Sequence, residues 1–232
     1  MALNMTIERL CNALRSAGIR GVDAYEKRLL SMEKDAPRLG DFACEGRVAL
    51  IFQKHGWAVT MRESPDLEGW LDGTYLGIEV KHWRWKADHD PVVETALSSS
   101  QHELVRIPRL KETEGQEEDW EQMYRFAKKN CHQYVDDELN VLFFISHTEA
   151  HDDSTLEAAG NRYEEELARS SCLPAMTNLN VMMLMTIVDG QQIGPDPRSI
   201  YSKFVSGARK AMPSHLQNAL REIRYEPPIA AL

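Results

Sequence analysis

Cysteine is scarce. The 232 residues include 4, at Cys11, Cys44, Cys131 and Cys172, and no two form a C-x-x-C pair. That excludes a zinc ribbon or a disulfide framework and fits reduced thiols in a cytoplasmic protein. No apolar run approaches the roughly 20 residues that a membrane helix needs. The opening stretch, MALNMTIERLCNALRSAG, lacks a signal-peptide layout, because charges interrupt it before an apolar region develops. There is no internal repeat, no P-loop and no G-x-S-x-G. Basic excess is also missing: the net charge is −9, which argues against a nonspecific nucleic-acid coat protein. Most of the excess acid lies in residues 91–180, with 18 Asp/Glu against 8 Lys/Arg. The remainder is close to balance and can still present a locally positive face.

What the chain does have is a hairpin. Ser64-Pro65-Asp66 leads through Asp72-Gly73 to Ile78-Glu79-Val80-Lys81. Asp-Gly is a strong signal for a two-residue turn, because both turn residues must take positive φ. With the turn there, Leu71 faces Thr74 and Asp66 faces Glu79. Side chains alternate along a strand. Leu67, Leu71, Leu76, Ile78 and Val80 then form a core face. Asp66, Glu68, Trp70, Tyr75, Gly77, Glu79 and Lys81 share the other. Two carboxylates side by side on a sheet are unfavourable by up to about 1 kcal/mol. A divalent cation compensates best, and oxygen ligands suit Mg²⁺ or Mn²⁺.

This arrangement of Pro65-Asp66, Asp-Gly hairpin and Ile78-Glu79-Val80-Lys81 strand resembles the PD-(D/E)xK nuclease superfamily, which includes restriction endonucleases and Holliday-junction resolvases. The resemblance implies that Asp66 and Glu79 bind the metal together with the Val80 carbonyl, and that Lys81 is catalytic. It also implies an acid on the preceding helix. Glu45 lies on the apolar stripe of Phe42, Ala49 and Phe52, where a carboxylate needs a partner. It is either that acid or an edge-of-stripe residue, with Asp41 as the alternative.

The remaining segments order as helix, strand, hairpin, strand, helix, strand, helix, strand, helix. The expected fold is α/β, a restriction-endonuclease-like mixed central sheet flanked by helices. An N-terminal helical extension over residues 1–36 precedes a nuclease-like domain over 37–232. The extension comprises helices over 5–17, with Ile7, Leu10, Cys11 and Leu14 inward, and over 22–34, with Val22, Tyr25, Leu29 and Leu30 inward. A helix spans 40–55 and a strand Trp57–Arg62. Trp120–Val135 is read as a helix, Leu139–Ser146 as a strand buried on both faces, and Asn161–Ser170 as a surface helix. Val181–Val188 reads as a second buried strand. Ile200–Ala211 and His215–Ile223 read as helices.

Trp83, Arg84, Trp85 and Lys86 alternate indoles with cations after Lys81. They read as nucleic-acid contacts or as a strand with buried tryptophans. Lys128 and Gln133 match the basic or glutamine-bearing helix of the resembled family and are expected to reach nucleic acid. Residues 87–119 read as an insertion, a lid or a substrate-selecting loop. His147 and His151 follow directly on a strand and are not expected to bind metal. The function implied is metal-dependent cleavage of DNA by an endonuclease, in restriction, repair or defence. Alternatives are a binding or assembly module that keeps the fold without turnover, and a nuclease subunit brought to DNA by a partner protein. A homodimer is compatible with each.

Overall fold

A computed structural model describes residues 2–32, 34–83, 118–146, 152–169, 171–186 and 200–224. Three helices come first: Ala2–Ser16 (α1), Val22–Ser31 (α2) and Ala36–Lys54 (α3). Ile7, Leu10, Cys11 and Leu14 of α1 are buried, as their helical spacing requires. In α2, Val22, Tyr25 and Leu29 turn inward, but Leu30 is exposed. Expected inside, it stands about 100° round the helix from Leu29, and the narrow stripe of α2 takes only one of the pair. Asp35 starts α3 by accepting from the Arg38 amide at 3.2 Å. Gly56, with φ +87°, follows its end, a conformation that glycine adopts without strain.

Six strands then form one sheet. They are Ala58–Met61 (β1), Leu67–Leu71 (β2), Thr74–Trp83 (β3), Leu139–Ser146 (β4), Leu179–Thr186 (β5) and Ile200–Phe204 (β6). Their spatial order is their chain order. β1, β2 and β3 pair antiparallel, β3, β4 and β5 parallel, and β6 returns antiparallel to β5. Asp119–Lys129 (α4), Asp153–Leu167 (α5) and Ser214–Glu222 (α6) complete the described α-helices. The protein is thus α/β, with a mixed sheet flanked by helices.

All eight residues of β4 are buried, which explains its continuous apolar run. Val141, Phe143 and Ile145 join a core with α1, α2, α3 and α6, while Leu142 and Phe144 join one with α4 and α5. The first core runs without interruption from Leu10, Leu14, Tyr25 and Leu29 to Val48, Phe52 and Ile78. The two N-terminal helices therefore pack on the same hydrophobic mass as the hairpin. Among the described residues, no helix is long and apolar enough to cross a membrane.

Three elements differ from expectation. Ile200–Ala211 is not a helix but begins with strand β6, whose Ile200 pairs with Met185 and Phe204 with Val181. Ile200 and Phe204 pack with the first core while Tyr201 and Val205 pack with the second. That two-residue alternation, against the open edge of an apolar strand, outweighs the helical reading. The helix expected over Asn161–Ser170 starts earlier, at Asp153, where the Asp152 side chain accepts from the Thr155 amide at 3.1 Å. It is no surface helix, because Leu156, Ala159 and Tyr163 are buried. The helix expected to run from Trp120 to Val135 ends at Lys129, and Cys131–Gln133 forms a separate 3₁₀ turn.

Candidate functional site

The hairpin between β2 and β3 turns on Asp72, with φ 49°, and Gly73, with φ 78°. A two-residue turn with both φ positive matches the right-handed twist of the strands it joins. It sets the register: Leu71 pairs with Thr74 and Leu67 with Ile78. Leu67, Leu76, Ile78 and Val80 are buried in the first core. Asp66 sits one residue before β2, opposite Glu79. Its Oδ2 accepts from the Val80 amide at 2.8 Å, so the carboxylate is tied across the hairpin.

Glu79 and Lys81 pair with Leu142 and Phe144 of β4 and therefore stand on the face that carries the second core. Glu79 is 1% exposed. Lys81 donates from Nζ to Glu79 Oε1, and about a quarter of the lysine side chain remains exposed. Glu79 Oε2 is buried with no hydrogen-bond partner. A buried carboxylate oxygen without a well-formed hydrogen bond is costly, and the amide and carboxyl of Asp66, close to the Glu79 carboxyl, offset only part of that cost.

Glu45 arrives from α3 and is 6% exposed. Arg28 of α2 donates from Nη2 to Glu45 Oε2 at 2.6 Å. Two contacts fasten α2 here. Tyr25 Oη donates to the Phe42 carbonyl at 2.6 Å and accepts from the Gly46 amide at 3.1 Å. A Cβ at position 46 would lie 2.7 Å from that Tyr25 oxygen, so the close approach needs glycine.

Burial first, then the Asp66 charge, pushes the Glu45 carboxyl up to about 9. The same two causes push Glu79 up to about 7. Burial also raises Asp66, against the opposing pull of the Val80 amide, Lys81 and Arg28. The Asp66 charge thus bears on both glutamates, and two cations, Arg28 and Lys81, pair with Glu45 and Glu79. The group is short of positive charge when all three acids are ionised.

The donor set is oxygen only, which suits Mg²⁺ or Mn²⁺, and the unpartnered Glu79 Oε2 is an oxygen that such an ion could take. Among the described residues, no three Asp, Glu, His or Cys side chains converge closely enough to hold an ion as they stand. Arg28 takes one oxygen of Glu45 and Lys81 one of Glu79. These are Glu45 Oε2 and Glu79 Oε1, so an ion would compete with each cation for the charge of the carboxylate but not for the second oxygen.

The other expected residues are dispersed. Asp41 is bonded to His82 Nδ1 at 2.9 Å and is about half exposed, outside the buried acid group. Lys128 is paired with Glu166 at 2.8 Å and lies near the Tyr124 ring, bracing α4 on α5. Gln133 lies in the 3₁₀ turn with a buried, unpartnered Oε1. Its neighbour Val135 approaches Gly77, as does Pro65. The Trp83 side chain, Arg84, Trp85, Lys86, His147 and His151, and the insertion up to residue 117, lie outside the described residues. Arg28 was not anticipated. Its one sequence signal is position: it stands three residues after inward Tyr25 and one before inward Leu29, at the edge of a buried stripe. The chain matches no protein-family model, no curated protein and no solved structure.

Proposed function

We propose that this chain is a metal-dependent phosphodiesterase that cleaves DNA as an endonuclease, on a restriction-endonuclease-like version of its mixed sheet. The observation that carries the reading is the buried group of Asp66, Glu79 and Glu45 beside Lys81, with one Glu79 oxygen unsatisfied. The Asp66, Glu79 and Glu45 carboxylates, with the Val80 carbonyl, are the residues to hold Mg²⁺ or Mn²⁺. When bound, such an ion lowers the pKa of a coordinated water and neutralises phosphate charge.

The protein's own part is positioning. Asp66 is locked by the Val80 amide, which fixes the direction of its other oxygen. Lys81, released from Glu79, donates to the attacking water or to the phosphoryl oxygens as charge develops there. Burial keeps the surrounding dielectric low and strengthens both effects.

The test is cleavage of plasmid, linear and single-stranded DNA with Mn²⁺, by the wild type, Asp66→Ala and Lys81→Ala. The reading expects cleavage by the wild type alone. Equal nicking by all three proteins, or none by the wild type on any substrate, would overturn it. A second reading is favoured by one observation, the occupation of Glu79 and Glu45 by Lys81 and Arg28. On that reading the protein is a binding or assembly module without turnover, and calorimetry would detect no Mn²⁺ uptake. The acidic balance of the chain favours recruitment to DNA by a partner protein within the first reading.

A further inference from the structure

Arg28 is more than the partner of Glu45. A guanidinium has five N–H donors in a planar fork. Among the described residues only one of them is engaged, from Nη2 to Glu45. The group is held in place without consuming the others. Its central carbon lies 5.0 Å from the centre of the Phe42 ring and 5.7 Å from that of Tyr25, contacts that orient a cation through the ring faces. The side chain keeps 20% of its surface open. Lys81 shares the acid group, matched to Glu79, whereas Arg62, Lys128 and Lys203, for example, are matched to Glu68, Glu166 and Glu157, outside the group of Glu45, Asp66 and Glu79.

Position gives this fork a use. With its acids ionised the group repels phosphate, having three carboxylates against two cations. A divalent ion reverses the balance. A phosphate drawn to that ion would then meet Arg28, whose fork matches phosphate oxygens.

We propose that Arg28 is a substrate-contacting residue, whose open N–H groups take a backbone phosphate of the nucleic acid when a divalent ion is bound among Glu45, Asp66 and Glu79. The proposal rests on the metal-dependent reading of the site. It makes helix α2 part of the substrate surface as well as of the core.

The test is fluorescence anisotropy with labelled duplex and single-stranded oligonucleotides, using Ca²⁺ in place of Mg²⁺ to hold back cleavage, over a range of salt. Arg28→Gln keeps a hydrogen bond for Glu45 but has no charge. It should weaken binding about tenfold or more and reduce the slope of log affinity against log salt by about 0.9, one phosphate contact. Arg28→Lys should restore the slope. In EDTA the difference between wild type and Arg28→Gln should vanish. An unchanged slope for Arg28→Gln, or a wild type that binds neither oligonucleotide, would overturn the proposal. If circular dichroism shows Arg28→Gln unfolded, Arg28→Lys decides. A several-fold loss at constant slope supports the fork, and wild-type affinity overturns it. Absence of Mn²⁺-dependent cleavage would sink the phosphodiesterase reading while leaving this binding result standing.

Discussion

Glu79→Gln should stabilise the protein at alkaline pH in the absence of metal. The wild-type carboxylate is nearly inaccessible, with Oε2 unpartnered, and burial together with the Asp66 charge raises it from 4.5 to about 7. The sign follows from linkage. A carboxyl raised by folding binds its proton more tightly in the native state. Its stabilising effect is complete below the unfolded value, near 4.5, and is lost as pH rises through about 7. Each unit is worth about 1.4 kcal/mol, so ionising Glu79 in place costs on the order of 3 kcal/mol. For a chain of this size that is roughly 6–12 °C in Tm. Thermal unfolding in EDTA measures it. At about pH 8.5 the variant should melt several degrees above the wild type, and at about pH 5 the two should coincide, glutamine being close in shape to protonated glutamate. Mn²⁺ at the higher pH should raise the wild type and leave the variant where it is. A variant that melts lower by the same amount at both pH values would show that Glu79 is satisfied as an anion, and the case for a metal ion at Glu79 would go with it.

Three further outcomes are expected. Metal uptake should release protons, because Glu79 and Glu45 are raised to about 7 and about 9 and ligands must be deprotonated. Calorimetry near pH 7 in buffers of different ionisation enthalpy should therefore give different apparent heats, and identical heats would contradict the protonated cluster. Tyr25→Phe leaves the Gly46 amide and Phe42 carbonyl without their buried partner and should destabilise by about 1–3 kcal/mol. Its urea midpoint checks this, and a wild-type midpoint would mean that α2 is not fastened to α3 through the hydroxyl. Gly73→Ala places a side chain at φ 78° in open space. It should cost roughly 1–2 kcal/mol from backbone strain alone, read as a shift in Tm at unchanged Mn²⁺ affinity.

The parts of this molecule legible in its sequence are those whose causes are local. Asp72-Gly73 determines a turn, the turn determines a register, and the register brings Asp66 opposite Glu79 within a span of fourteen residues. β4 was legible because a strand covered on both faces cannot hide its composition. Strand β6 was not, because Ile200-Tyr201-Ser202-Lys203-Phe204 is too short for its own period to decide. What makes it a strand is the edge of β5, a neighbour the sequence does not name. Glu45 lies between these cases: its place on an apolar stripe signals a need for a partner without saying which. The partner is Arg28, seventeen residues earlier on another helix. That relation carries the functional weight. A carboxylate forced into a core can be neutralised by protonation, by a side-chain cation or by a metal ion, and here each of the first two is only partial. Glu45 and Glu79 have their cations and still hold protons well above the ordinary carboxylate range. A fold built only for stability would replace such a group with hydrocarbon, often at no cost. Three buried acids at α3 and the hairpin, two of them paired with cations, are therefore the reason for proposing a divalent cation, whose charge and preference for oxygen would match them.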